Sequence, residues 1–170
     1  VELSQITPYF IEKIAGIIEF EKTMKLEKTS ILDAKKYGMS DKTISKILNI
    51  KQDDVRDFRI ENKILPSYRY VDACSIEEYV PYLYSTYHAK DNSLVSNRKK
   101  VIVLGSGPIR IGQGVEFDYS TVHCIKTIKD LNYEAIVINN NPETVSTDYT
   151  ISDKLYFEPI SLEDVLNIYD

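Results

Sequence analysis

The residues best suited to chemistry gather in two short stretches, GSGPIRIGQG at 105–114 and NNNPE at 139–143. The first follows the apolar run Val101–Leu104 and precedes a helical pattern. A glycine-rich turn placed there lets backbone approach a ligand closely, often a phosphate at the helix N-terminus. The details argue against a dinucleotide. That fingerprint needs glycine where Arg110 stands, and Pro108 deletes an amide that a phosphate cradle would use. The second strand ends in asparagines instead of the acidic residue that grips a ribose. No Gly-Lys-Ser/Thr triplet follows, so a P-loop is out. Position still sends both loops to the carboxyl edge of a parallel sheet, where open α/β folds bind ligands. Gly105, Gly107, Gly112, Gln113 and Asn141 are therefore expected to face a site.

The elements that position these loops read as the opening of an α/β domain. Val101–Leu104 predicts one strand and Ala135–Ile138 a second, buried one, with Leu155–Phe157 as a third. Between the first two, the pattern predicts a helix over about 116–131, with Val122, Ile125 and Ile128 on its buried side. Ser161, followed by Glu163 and Asp164, starts another helix that is still running at Asp170. Strand–helix–strand at this spacing implies a parallel sheet with a right-handed crossover. Such a sheet needs more strands and two helical layers to bury both faces. The chain also begins without Met, so a piece of a longer protein is expected.

Residues 1–63 read as helices. Thr7-Pro8 marks a helix start, and Phe10, Ile11, Ile14, Ile17, Ile18 and Met24 keep a helical period. Ser30 is expected to cap a second helix ended by Gly38. Ser40 is expected to cap a third, with Ile44, Ile47 and Leu48 inward. A fourth is expected over about 53–62 with Val55, Phe58 and Ile60. From Leu65 to Asn97 the chain turns aromatic and extended, with Tyr68, Tyr70, Tyr79, Tyr82, Tyr84 and Tyr87 close together and a polar linker after Asp91. Interleaved acids favour packing over base stacking for these rings. The organisation expected is a helical domain with a Tyr-rich tail and linker over 1–97, then an α/β domain over 98–170.

Charge narrows the functional classes. The 170 residues carry a net −5, but residues 1–100 hold 17 Lys/Arg against 15 Asp/Glu, whereas residues 101–170 hold 4 against 11. So acidic a second part is a poor nucleic-acid binder, because phosphate binding relies on Lys and Arg. No apolar run approaches the roughly 18 residues of a membrane span, and no signal peptide is visible. Cys74 and Cys124 are too few and too distant for a disulfide framework or a zinc site, and His88 and His123 stand alone. A reduced, cytoplasmic protein without a metal is expected.

Two long motifs, VIVLGSGPIRIGQGVEFDYSTVH and NNNPETVSTDYTISDKLYFEPISLEDVL, closely resemble the large subunit of carbamoyl phosphate synthetase. They resemble the start of its second, carbamoyl-phosphate-forming half, a pre-ATP-grasp domain with a Rossmann-like sheet. YRYVDACSIEEY and YLYSTY resemble the end of the same family's helical oligomerisation domain. The fold class implied is a helical domain followed by a partial, Rossmann-like parallel α/β sheet.

The resemblance also implies a function. The family makes carbamoyl phosphate from bicarbonate, glutamine-derived ammonia and two ATP, assisted by Mg2+ or Mn2+ and K+, for pyrimidine and arginine synthesis. Its nucleotide and metal sites belong to ATP-grasp modules, so no catalytic residue, metal or cofactor site is expected within these residues, and the piece alone is expected to be inactive. The expected partners are a glutaminase small subunit and other large subunits, through self-association of the helical part. Carbamate crosses the family's large chain through a tunnel, and the residues matching its wall here are Gly114, Glu116 and Glu143. Two other classes compete: a helical adaptor fused to a nucleotide-binding regulator, and a DNA-binding module. Neither accounts for both long motifs.

Overall fold

The computed structural model of the protein describes residues 3–71, 82–108 and 115–170, with backbone alone for 115–117. It comprises two compact units, Val1–Leu65 and Pro66–Asp170.

The first unit holds α1 (Pro8–Thr23), α2 (Lys28–Lys36), α3 (Asp41–Leu48) and α4 (Gln52–Glu61). Pro8 opens α1, and the Ser40 hydroxyl caps α3 by accepting the Thr43 N–H at 3.1 Å. Helices α2, α3 and α4 each stop at a left-handed residue, Gly38, Asn49 and Lys63. The next amide then reaches back to the helix: Met39 to the Ala34 carbonyl, Ile50 to that of Ser45 and Ile64 to that of Arg59, at 2.8–3.0 Å. Ile31, Ala34, Ile44 and Val55 are fully buried. Among them lies a salt bridge that the interleaved Lys/Asp pattern conceals. The Arg59 guanidinium forks onto Asp41, Nε at 2.8 Å and Nη2 at 2.6 Å, and its Nη1 donates to the Ile64 carbonyl.

Three expectations change here. Ser30 lies inside α2, which starts at Lys28, and its hydroxyl accepts the Lys25 N–H instead of capping. Ile60 turns outward, 41% exposed, because Val55 and Arg59 already fill the inner face of α4. The apolar period of α1 is present, but the helix buries none of its residues.

The second unit is a five-stranded sheet in the order β1-β2-β5-β4-β3, formed by β1 (Ser67–Tyr70), β2 (Tyr82–Thr86), β3 (Lys100–Leu104), β4 (Glu134–Ile138) and β5 (Lys154–Tyr156). Its helices are α5 (Val115–Asp130) and α6 (Leu162–Tyr169). Strands β3, β4, β5 and β2 run parallel, and β1 pairs antiparallel with β2. Alternation along β4 builds two cores. Ile136 and Ile138 pack with Tyr68, Leu83, Tyr156 and the α6 residues Val165 and Ile168. Ala135 and Val137 pack with Ile125 and Ile128 of α5 and with Leu155. Every residue of β4 is buried, as a central parallel strand should be. Strand β3, at the sheet edge, is half-exposed.

The Tyr-rich stretch, expected as a tail of the helical part, lies in this second unit. Its backbone continues the sheet, Leu83 in register with Tyr156, and its rings seal the join. Tyr68 meets Tyr156 edge-to-face at 5.0 Å, and Tyr84 stacks on Phe157 at 5.4 Å. The expected polar linker straps the outer edge of β1: the Asp91 carboxylate accepts the Tyr68 N–H and the Asn92 side chain accepts that of Tyr70, both at 3.0 Å. Satisfying these donors protects an edge that would otherwise pair with another chain. Tyr79 and Cys74 lie outside the described residues.

Candidate functional site

Both sequence-flagged loops leave the carboxyl ends of adjacent strands, β3 and β4, whose residues pair one for one from Lys100↔Glu134 to Leu104↔Ile138. One side chain locks them together. Asn139, buried at the end of β4, accepts the Gly107 N–H at 3.1 Å through its side-chain oxygen. The same carboxamide lies against Gly105, where a Cβ would stand 2.5 Å from Asn139 Cγ. No other residue type fits there without displacing Asn139. Gly107 is buried with φ +69°, a conformation that glycine adopts without cost. The glycines thus serve close approach of two protein loops.

The loop after β4 is built around the Asn141 backbone. Its carbonyl accepts the hydroxyls of Thr144 at 3.3 Å and Thr147 at 3.0 Å, and its side chain accepts the Glu143 N–H at 3.0 Å. A 3-10 turn, Val145–Thr147, follows. The buried Asp118 carboxylate of α5 accepts the Ser146 N–H at 3.0 and 3.2 Å, and the Tyr82 hydroxyl of β2 donates to the Thr147 carbonyl at 2.9 Å. Glu143, Asp148 and Tyr82 border an open cleft of about 380 Å³, and Glu143 itself is exposed. Hydrogen bonds from the Thr150 amide and hydroxyl hold the Asp148 carboxyl below its usual range. Burial pushes the Tyr82 phenol up, and the Asp148 charge adds to it, so the hydroxyl stays a donor at neutral pH. Among the described residues, the charged groups that border the cleft are both carboxylates.

Two family models match the chain: the carbamoyl phosphate synthase preATP-grasp domain over residues 97–170, and the carbamoyl-phosphate synthetase large chain oligomerisation domain over residues 1–63. Both describe parts of the same large chain. The protein belongs to the carbamoyl phosphate synthetase large-chain family.

Within this large-chain sequence, the structure brings together Gly105, Gly107, Asn141 and Glu143 on adjoining loops. Gly112, Gln113 and Gly114 lie outside the described residues, and Glu116 stands in the first turn of α5 with only its backbone described. The expectation that Gly114 and Glu116 line the family's tunnel therefore falls outside them. Sequence reasoning missed Asp118, Asn139 and Tyr82 as the residues that fix the loops. Asp118 sits in the same motif as Glu116, and an acid that early in a helix is ordinarily credited to the helix dipole. Asn139 fills the space over Gly105 where a phosphate would approach, and no group of three His, Cys, Asp or Glu among the described residues could hold a metal.

Proposed function

We propose that this chain serves a glutamine-dependent carbamoyl phosphate synthetase as association surface and passage wall, the phosphoryl transfers being performed elsewhere in the large chain. Carbamoyl phosphate is then made from bicarbonate, ammonia released by a glutaminase subunit, and two ATP. The nucleotide, Mg2+ or Mn2+, and K+ belong to ATP-grasp modules beside these residues. Phosphoryl transfer needs cations to neutralise charge on the moving group. The stretch 101–170, with 4 basic residues against 11 acidic, is unsuited to it. The helices of the first unit associate with other large chains.

The observation that carries the passage reading is the Glu143 loop, pinned by Asp118 and Tyr82 and opening on a cleft at the carboxyl edge of the sheet. Two unit charges 4 Å apart interact by roughly 4 kcal/mol at an effective dielectric near 20. Carboxylates lining such a passage turn back phosphate and nucleotide anions, and favour carbamate crossing as the neutral acid. The resemblance assigns Gly114 to the wall, where the absence of a side chain would let backbone border a narrow bore.

The test is Gly114→Phe in a large chain carrying both ATP-grasp modules, assayed with its glutaminase partner. Loss of carbamoyl phosphate synthesis with bicarbonate-dependent ATP hydrolysis retained supports the passage. Synthesis at the wild-type rate removes Gly114 from the wall. Loss of both activities together with a lower melting temperature assigns it to folding alone.

A further inference from the structure

We propose that Tyr82 is a positioning residue for the loop that carries Glu143; the inference rests on the passage reading above. The 3-10 turn Val145–Thr147 is held at both ends by side chains from outside the loop. Asp118 takes the Ser146 N–H near its start, and the Tyr82 hydroxyl donates to the Thr147 carbonyl, its last, at 2.9 Å. Carbonyls at the end of a helical turn need an outside donor, and here a phenol 65 residues away in sequence supplies it.

The phenol is itself held in place. The backbone of Tyr82 sits in β2, in register with Leu155 of β5, and its ring meets Phe157 edge-to-face at 5.1 Å. A rigid ring with its hydroxyl on the turn fixes where the turn ends, four residues after Glu143. The same ring borders the cleft that Glu143 opens on. Tyr82 thus fixes where the loop that carries Glu143 stands at the cleft.

The test compares Tyr82→Phe, which keeps the ring and deletes the donor, with p-aminophenylalanine at the same position, which restores one. In the 170-residue chain, Tyr82→Phe should speed hydrogen exchange at the Thr147 and Asp148 amides by about threefold to tenfold, the value of one neutral hydrogen bond. Exchange along β4 should not change, which shows that the fold is intact. In the large chain with both ATP-grasp modules, ATP hydrolysed per carbamoyl phosphate formed should rise by a similar factor, and p-aminophenylalanine should return both readouts toward wild type. Unchanged exchange at Thr147 and Asp148 overturns the inference whatever the passage does. Faster exchange with a wild-type ratio also overturns it, if Glu143→Ala raises that ratio. Should Glu143→Ala and Gly114→Phe both leave the ratio unchanged, the passage reading fails and this inference falls with it.

Discussion

The Asp118 carboxylate grips the Ser146 amide with both oxygens, at 3.0 and 3.2 Å, and so ties α5 to the loop after β4 across 28 residues. Both groups are buried, so removing the acceptor leaves an amide without its partner. Asp118→Ala should cost about 1–3 kcal/mol in urea unfolding. Asp118→Asn keeps an acceptor oxygen and should recover most of that loss. An alanine variant as stable as wild type would remove this contact from the account.

Gly105 and Asn139 should behave as a coupled pair. A methyl group at 105 would stand 2.5 Å from Asn139 Cγ, far inside contact distance. Gly105→Ala should therefore destabilise by about 1–3 kcal/mol, as overpacking does. Asn139→Ala deprives the Gly107 N–H of its acceptor but clears the space. The double variant should cost less than the sum of the two singles, a shortfall that a double-mutant cycle by thermal unfolding would measure. Additive losses would mean that the two side chains do not share the space.

These two contacts show where the sequence was legible and where it was not. Periodicity located α5 and its inner residues Val122, Ile125 and Ile128, and it found β4, because burial follows from spacing along one element. Asn139, Asp118 and Tyr82 act across elements, on backbone groups 32, 28 and 65 residues away, and no local spacing encodes such partners. The Tyr-rich stretch was legible as extended packing chain. Its place in the sheet was not, because β2 pairs with β5 from the far side of β3 and β4 in sequence. The apolar period of α1 marked a helix, but periodicity cannot say what covers the apolar face.

Breaking the Arg59–Asp41 fork should cost more than breaking a surface ion pair. Arg59 is fully buried, and Lys35 lies 3.4 Å from the same carboxylate. Removing one partner strands charge in the core, at roughly 3–5 kcal/mol. Asp41→Ala should unfold the first unit at physiological temperature or bring it close to unfolding. Arg59→Met and Asp41→Leu together with Lys35→Met, which removes all three charges, should be much milder than Asp41→Ala, as judged by circular dichroism melts.

Glu158 predicts a pH dependence of defined sign. Burial pushes its carboxyl above the usual glutamate range, against the opposing hydrogen bond from the Ser85 amide. A folded-state value above the unfolded one favours the neutral form. Its contribution is fully present below the unfolded value, near 4.5, and is lost as pH rises through the folded one. Glu158→Gln, neutral throughout and still able to accept from Ser85, should gain stability over wild type as pH is raised from acid to neutral. A stability difference independent of pH would show that Glu158 titrates as an ordinary surface acid.

Helix α1 predicts the surface of association. Its 16 residues bury none of their own, and Tyr9, Phe10, Ile14 and Ile18 stand 46–58% exposed. Propensity alone holds so short a helix only marginally in water, and burial of its apolar face normally supplies the rest. Full burial of side chains of this kind contributes about 1.5–3 kcal/mol each. Membership in a family whose matched domain is named for oligomerisation makes another large chain the natural cover. Ile14→Glu places a charge in the middle of that face, and in a symmetric pair it does so twice. The variant should weaken self-association at least tenfold, equivalent to about 1.4 kcal/mol, in sedimentation over a concentration series. Ile44→Val, a small change in the buried core of the first unit, should leave association unchanged while lowering stability by about 0.5–1.5 kcal/mol. If wild type sediments as a folded monomer at the highest soluble concentration, α1 is not a self-association surface. If wild type associates and Ile14→Glu associates equally well, the contact lies on another face.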